Sequence, residues 1–139
     1  MPTSLVIKNA HIVNEGTITE GDLSISSNHI EKVGGIIDGT NELDANGAWL
    51  IPGMIDDQVH FREPGLEHKG TIATESRAAI AGGITSYMEM PNCDPLTIDA
   101  KNLDDKHRRA AKKSMANYAF YLGATNDNLE DIKSVDIKL

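Results

Sequence analysis

The chain has 139 residues, 40% of them apolar and 24% charged, with a formal net charge of −8. Such a composition, near the soluble average of roughly 45–50% apolar and about 25% charged, excludes wholesale disorder and suits one domain of ordinary size. The acidic balance argues against a nucleic-acid partner, which needs clustered Lys and Arg, and no apolar run approaches the roughly 20 residues of a membrane span.

The start, MPTSLVIKNAHIV, lacks the charged segment, apolar core and cleavage site of a signal peptide. A single cysteine, Cys93, can form no internal disulfide and fits a reducing, cytoplasmic setting. Residues 1–51 read as a β-rich accessory domain: Leu5–Val13, Leu23–Ser26, Ile30–Val33 and Trp49–Ile51 are rich in β-branched residues, and glycines punctuate them. Pro52 and Gly53 mark a boundary. From residue 52 to 139 the texture alternates. A buried strand Met54–Phe61 precedes a helix Thr71–Ala81, stopped by Gly82 and Gly83. Strand Ile84–Met90 ends at Pro91, and helix Ile98–Lys113 has Asp99 near its start as a cap. Strand Asn117–Leu122 and a short helix Asn126–Val135, capped by Asp127, complete the pattern. The basic stretch Lys106–Lys113, KHRRAAKK, reads as a solvated helix face.

A small β unit followed by three βα units predicts an α/β fold with parallel strands and crossover helices. A closed (β/α)₈ barrel needs eight strands and about 250 residues. If the fold is a barrel, residues 52–139 hold only its first three βα units and the remainder is expected beyond Leu139.

The segment Pro52–Gly65, PGMIDDQVHFREPG, carries the chemistry. Strand alternation puts Asp56, Gln58, His60 and Arg62 on one face, with Asp57 and Glu63 on the other. A polar row in an otherwise apolar strand is expensive unless paired or bound. His60 can bind a divalent metal through a neutral imidazole nitrogen, Arg62 offers a fork suited to a carboxylate, and Asp56 could orient a neighbouring group. The spacing alone equally admits a core histidine with one hydrogen bond and an arginine in an ion pair.

PGMIDDQVHFREPG resembles the PGxIDxHxHxRxPG signature of dihydroorotases and their amidohydrolase relatives. Met90–Asn92 with Pro95 is similar to the MPNTxP segment of that family, and Ala78–Thr85 resembles its AAxxGGxT helix end. The resemblance covers essentially the whole chain and implies a distorted TIM barrel of the amidohydrolase type, here partial and preceded by a small β-sandwich unit. It implies one or two zinc ions, with His60 matching the second histidine of the HxH pair. Arg62 would hold the substrate's carboxylate and Asn92 would assist. The implied reaction is reversible hydrolysis of L-dihydroorotate to N-carbamoyl-L-aspartate, in which the metal lowers the pKa of bound water. A homodimer is the usual state of such proteins.

Gln58 stands where the family has the first histidine of HxH, and an amide oxygen is a weak zinc ligand. It reads either as a residual metal ligand or as an amide hydrogen-bonded inside the barrel mouth. The bridging lysine, further histidines and catalytic aspartate would all follow Leu139, so the isolated chain is expected to be inactive. His11, His29 and His107 read as exposed, His68 as a surface loop residue, Cys93 as a buried inert thiol and Trp49 as packing at the boundary. Besides dihydroorotase, two readings stay open: another cyclic amidohydrolase (hydantoinase or allantoinase), and a non-catalytic scaffold partner of aspartate transcarbamoylase.

Overall fold

The computed structural model describes residues 5–135. The first four residues, part of the start read as free of a signal peptide, and the last four of the expected barrel portion lie outside them. The chain divides into two compact units, Met1–Pro52 and Gly53–Leu139.

The first unit contains β1 (Leu5–Asn14), β2 (Thr17–Ser26), β3 (His29–Val33), β4 (Glu42–Asp44) and β5 (Trp49–Leu50). They form one five-stranded sheet in the order β3-β2-β1-β4, with β5 also pairing β1. Two tight turns build its antiparallel part. Glu15–Gly16 and Ser27–Asn28 all have positive φ, the backbone that two-residue hairpin loops require to match strand twist. β4 and β5 run parallel to β1, at Val6↔Glu42 and His11↔Trp49. Ala10, Ile12 and Leu23 form the buried cluster, with Ile7, Ile25, Ala45 and Leu50 packed on it.

The structure corrects the sequence reading here in two ways. Strand β2 begins at Thr17 rather than Leu23, because TITE is solvent-exposed and is held by pairing with β1 rather than by a buried face. The expected β-sandwich is a single sheet among the described residues, because β1 takes partners on both edges and all five strands join one layer.

One buried carboxylate organises this unit. The Asp22 side chain accepts the Asn9 and Ile37 backbone N–H groups at 3.0 and 2.8 Å and lies 2.8 Å from Lys8 Nζ. Asn9 occupies the register shift in β1 with φ 54°. Asp22 therefore satisfies donors that the irregular backbone leaves without ladder partners. The Lys8 hydrogen bond, joined by those of Ile37 and Asn9, lowers its pKa from 3.8 to about 2.

The second unit contains β6 (Met54–Val59), α1 (Ile72–Ala81), β7 (Ile84–Glu89), α2 (Ala100–Lys113), β8 (Asn117–Phe120) and α3 (Leu129–Ser134). Its three strands are parallel, in the order β6-β7-β8. Thr71 and Thr74 form a reciprocal capping box at the start of α1. Asp99 accepts from Asn102 N at the start of α2. At the amino end of the strands a Cβ on Gly53 would lie 2.2 Å from the Thr85 side chain, so the Pro-Gly pair permits close approach of β7 to the start of β6. Phe61, Tyr87 and Ala116 are the buried cluster, lined by Val59, Tyr118 and Phe120.

Several expectations for this unit change. The strand predicted as buried over Met54–Phe61 stops at Val59 and is largely exposed, with Ile55 at 69%, because its only strand neighbour among the described residues is β7. The last helix starts at Leu129 and has Asn128, not Asp127, at its N-cap position. Asn128 instead bonds Thr125 N, Ile98 O and Gly123 O, tying the loop together. The stretch KHRRAAKK is two-faced rather than solvated. Leu103, Lys106 and Ala110 are all buried, at the three- and four-residue spacing of a helix face turned to its own core. His107, expected to be exposed, packs its ring 5.0 Å from Phe120 and 5.9 Å from Tyr118.

A carboxyl whose pKa falls on folding stabilises the fold above its unfolded value, and that contribution disappears as pH drops through the folded value. The share of Asp22 should thus be complete above about pH 4 and vanish towards pH 2. Asp22→Asn should be the less stable protein at neutral pH and lose less stability than wild type across that interval. Urea unfolding followed by the fluorescence of Trp49 at a series of pH values measures this, and parallel acid limbs in the two proteins would contradict it.

Candidate active site

Because β6 and β7 are parallel, their carboxyl ends and the loops that follow emerge on the same side of the sheet. Those loops carry the motif residues. They are joined backbone to backbone: Asp94 N–H donates to Pro64 O at 3.0 Å, and Met90 N–H to Val59 O at 3.0 Å. Gly65 has φ 86°, and a Cβ there would lie 1.9 Å from Asp94 O. Only glycine fits this contact and this backbone conformation. The second Pro-Gly pair of the motif is thus the place where the two loops meet.

His60 and Asn92 come together across these loops, Nδ1 to Oδ1 at 2.9 Å, both residues being exposed. An amide oxygen only accepts, so Nδ1 carries the proton of this contact, and in the neutral tautomer of that kind Nε2 is the ring atom with a lone pair. A hydrogen bond of this kind is how a metal-binding histidine is held in the right tautomer. Asp56 is engaged elsewhere, accepting Gln58 N–H at 3.1 Å. Gln58 is exposed.

Arg62 does not continue the strand alternation. The register of β6 is already irregular between Asp56 and Val59, the strand ends at Val59, and Arg62 has φ 71°. Face parity from Asp56 to Arg62 is broken by this left-handed residue. Its side chain is half-buried and pairs with no carboxylate among the described residues. His68 lies exposed in the loop that follows. Cys93 is buried, with Sγ 3.3 Å from Thr97 Oγ1.

Beneath the loops lie two carboxylates for which the sequence reading found no role in the site. Glu63 is fully buried; it accepts Ile72 N–H at 3.0 Å and pairs with Lys113 and Arg109. Burial opposes its ionisation, but the hydrogen bonds from Lys113, Ile72 and Arg109 prevail and hold its pKa below the ordinary value. Glu89, at the end of β7, is 1% exposed. Its Oε1 accepts Arg62 N–H at 3.1 Å. Lys106, itself fully buried, brings Nζ to 3.1 Å from Oε2 in an ion pair without hydrogen-bond alignment. The same ammonium donates to Met90 O at 3.2 Å and sits 5.0 Å from the Phe120 ring centre. Burial pushes the Glu89 carboxyl up, against Lys106 and the backbone N–H groups of Arg62 and Phe61. The signal in the sequence was an acid in an apolar strand matched to a lysine at core spacing on α2.

A catalytic zinc takes three protein ligands. His60 and Gln58 offer one imidazole and one amide, and among the described residues no group of three His, Cys, Asp or Glu could hold a metal. These residues do not by themselves fit a zinc ion.

Residues 47–136 match a family model described as dihydro-orotase-like. The chain belongs to the dihydro-orotase-like family. Within that family of cyclic amide hydrolases, whose members are typically metal-dependent, it is 36% identical over 131 residues to an allantoinase of Desulfitobacterium hafniense, covering 92% of this chain and 29% of the relative. It is 44% identical over 78 residues to a dihydroorotase of Halobacterium salinarum, covering 56% of this chain and 18% of that one. Its fold superposes on an L-hydantoinase (dihydropyrimidinase) from Arthrobacter aurescens with a TM-score of 0.88 at 27% identity, over 96% of this chain and 30% of the hydantoinase. The dihydro-orotase-like chain therefore spans less than a third of the length of these relatives. No helix among the described residues is long and apolar enough to cross a membrane.

The loop contact at Gly65 can be tested against a control. Gly65 and Gly83 both have φ 86°, but a Cβ on Gly83 would meet nothing within 4 Å. Gly83→Ala should lose only the roughly 1–2 kcal/mol of a left-handed backbone, whereas Gly65→Ala should lose clearly more. Equal shifts of the urea midpoint would mean that the two loops do not touch there.

Proposed function

We propose that this chain is part of a dihydroorotase, with residues 52–139 forming the first three βα units of a partial (β/α)₈ barrel and residues 1–51 an accessory β domain. The observation that carries this reading is Arg62, half-buried, paired with no carboxylate among the described residues and two positions along the chain from the His60 that meets Asn92. A small ring bearing a carboxylate supplies what that guanidinium lacks. Arg62 would clamp the carboxylate of L-dihydroorotate, and Asn92 would assist while holding the His60 ring. Holding a reactant in one orientation lowers the barrier that the chemistry must cross.

His60 would offer Nε2 as one ligand of a zinc ion, with Gln58 a weak further ligand. The metal, when bound, would supply an activated water at neutral pH. The reaction would be reversible hydrolysis of dihydroorotate to N-carbamoyl-L-aspartate, in pyrimidine synthesis, in a cytoplasmic homodimer. The isolated 139-residue chain should show no turnover.

Gln58 favours a second reading, a non-catalytic scaffold associated with aspartate transcarbamoylase, since an amide in place of imidazole weakens metal binding. The 39% identity over 80 residues to a multifunctional protein of Squalus acanthias bears on the same reading. The allantoinase and hydantoinase similarities support the same chemistry on another ring.

The complete protein encoded by the natural reading frame, purified without chelators, should hydrolyse dihydroorotate in preference to allantoin and hydantoin and retain one or two zinc ions per chain. Arg62→Met should lower kcat/KM by roughly 30- to 1000-fold, the about 2–4 kcal/mol of an unpaired buried charge. A folded protein with neither zinc nor turnover would move the assignment to the scaffold.

A further inference from the structure

We infer that Glu89 is a positioning residue that holds Arg62 in its working conformation, with Lys106 as the buried counter-charge of its carboxylate. The inference rests on the substrate-binding role proposed for Arg62.

Arg62 is an L-residue with φ 71°, a conformation that persists only where the surroundings impose it. Its backbone N–H lies beyond the end of β6 and is taken by Glu89 Oε1 at 3.1 Å. Glu89 is the last residue of β7, so the acceptor stands on a strand rather than on a loop. On the far side, Lys106 Nζ contacts Oε2 and also donates to Met90 O, one residue beyond Glu89. A single buried ammonium from α2 thereby fixes both the carboxylate and the backbone that leads to Asn92.

A buried ion pair is weak evidence for stability, since an apolar pair of similar volume often does as well. An apolar pair could not, however, offer an acceptor to Arg62 N–H. Glu63 shows the contrast. Its buried carboxylate serves Ile72 N–H, Lys113 and Arg109, joining the loop to α1 and α2 but making no contact that would orient Arg62.

The test uses the complete protein and two double variants that both remove the buried charges. Glu89→Gln with Lys106→Met keeps an acceptor oxygen; Glu89→Leu with Lys106→Met does not. Both should fold. In the Leu variant the Arg62 amide should exchange with deuterium about tenfold or more faster, and KM for dihydroorotate should rise at least about tenfold with a smaller change in kcat, as loss of one charged hydrogen bond implies. The Gln variant should stay near wild type on both measures. Added to Arg62→Met, the Leu variant should lower kcat/KM no further, because residues acting through one another are not additive. Equal behaviour of the Gln and Leu variants, or losses that multiply with Arg62→Met, would overturn the positioning role. If the wild-type protein turns over none of dihydroorotate, allantoin and hydantoin, the dihydroorotase reading fails, and amide exchange alone still decides whether Glu89 holds Arg62.

Discussion

Buried carboxylates that accept backbone N–H groups are the constraint on which this molecule is built. Glu89 takes the N–H of Arg62, Glu63 that of Ile72, and Asp22 those of Asn9 and Ile37. Arg62, Asn9 and Ile37 lie off a regular ladder and Ile72 opens α1, so each N–H needs an acceptor, and an unpaired buried donor would carry a desolvation penalty of roughly 1–3 kcal/mol. Each carboxylate in turn has a cation against it: Lys106, Lys113 with Arg109, and Lys8. Irregular segments are thereby held as firmly as strands.

The consequence for the second unit is a loop whose shape is set from below. Glu89 and Glu63 reach the backbone of residues 62 and 72 from the protein interior, while Asp94 and Gly65 close the contact with the neighbouring loop. His60, Arg62 and Asn92 are left at the surface of this framework with their chemistry available. His60 and Asn92 hold each other, and the guanidinium of Arg62 pairs with no carboxylate among the described residues. A site made on loops gains precision when charged groups under it fix the backbone.

Gln58 limits what the site can do. Imidazole and amide differ greatly as ligands for a borderline metal ion, and among the described residues no group of three His, Cys, Asp or Glu could hold a metal. The family supplies the class of reaction, cyclic amide hydrolysis.

Much was legible in the sequence because it is local. The cap at Asp99, the Gly82–Gly83 stop, the alternation of strand and helix after Pro52, and the spacing of His60, Arg62 and Asn92 are properties of short segments. Other features needed distant partners. Strand β4 exists only because Glu42–Asp44 lies beside β1, and TITE became strand through its register on the same neighbour. Lys106 looked like one charge in a basic stretch. Its burial follows from Glu89, 17 positions away in sequence and within 3.1 Å in space. The face of Arg62 could not be counted from Asp56, since one left-handed residue ends the alternation. The sequence by itself determined which residues are chemically able to form a site and the alternation of strand and helix after Pro52, but not every boundary of those elements. Tertiary structure alone decided which charges are buried, what they hold and how the loops meet, because those outcomes depend on contacts between segments that local preference does not encode.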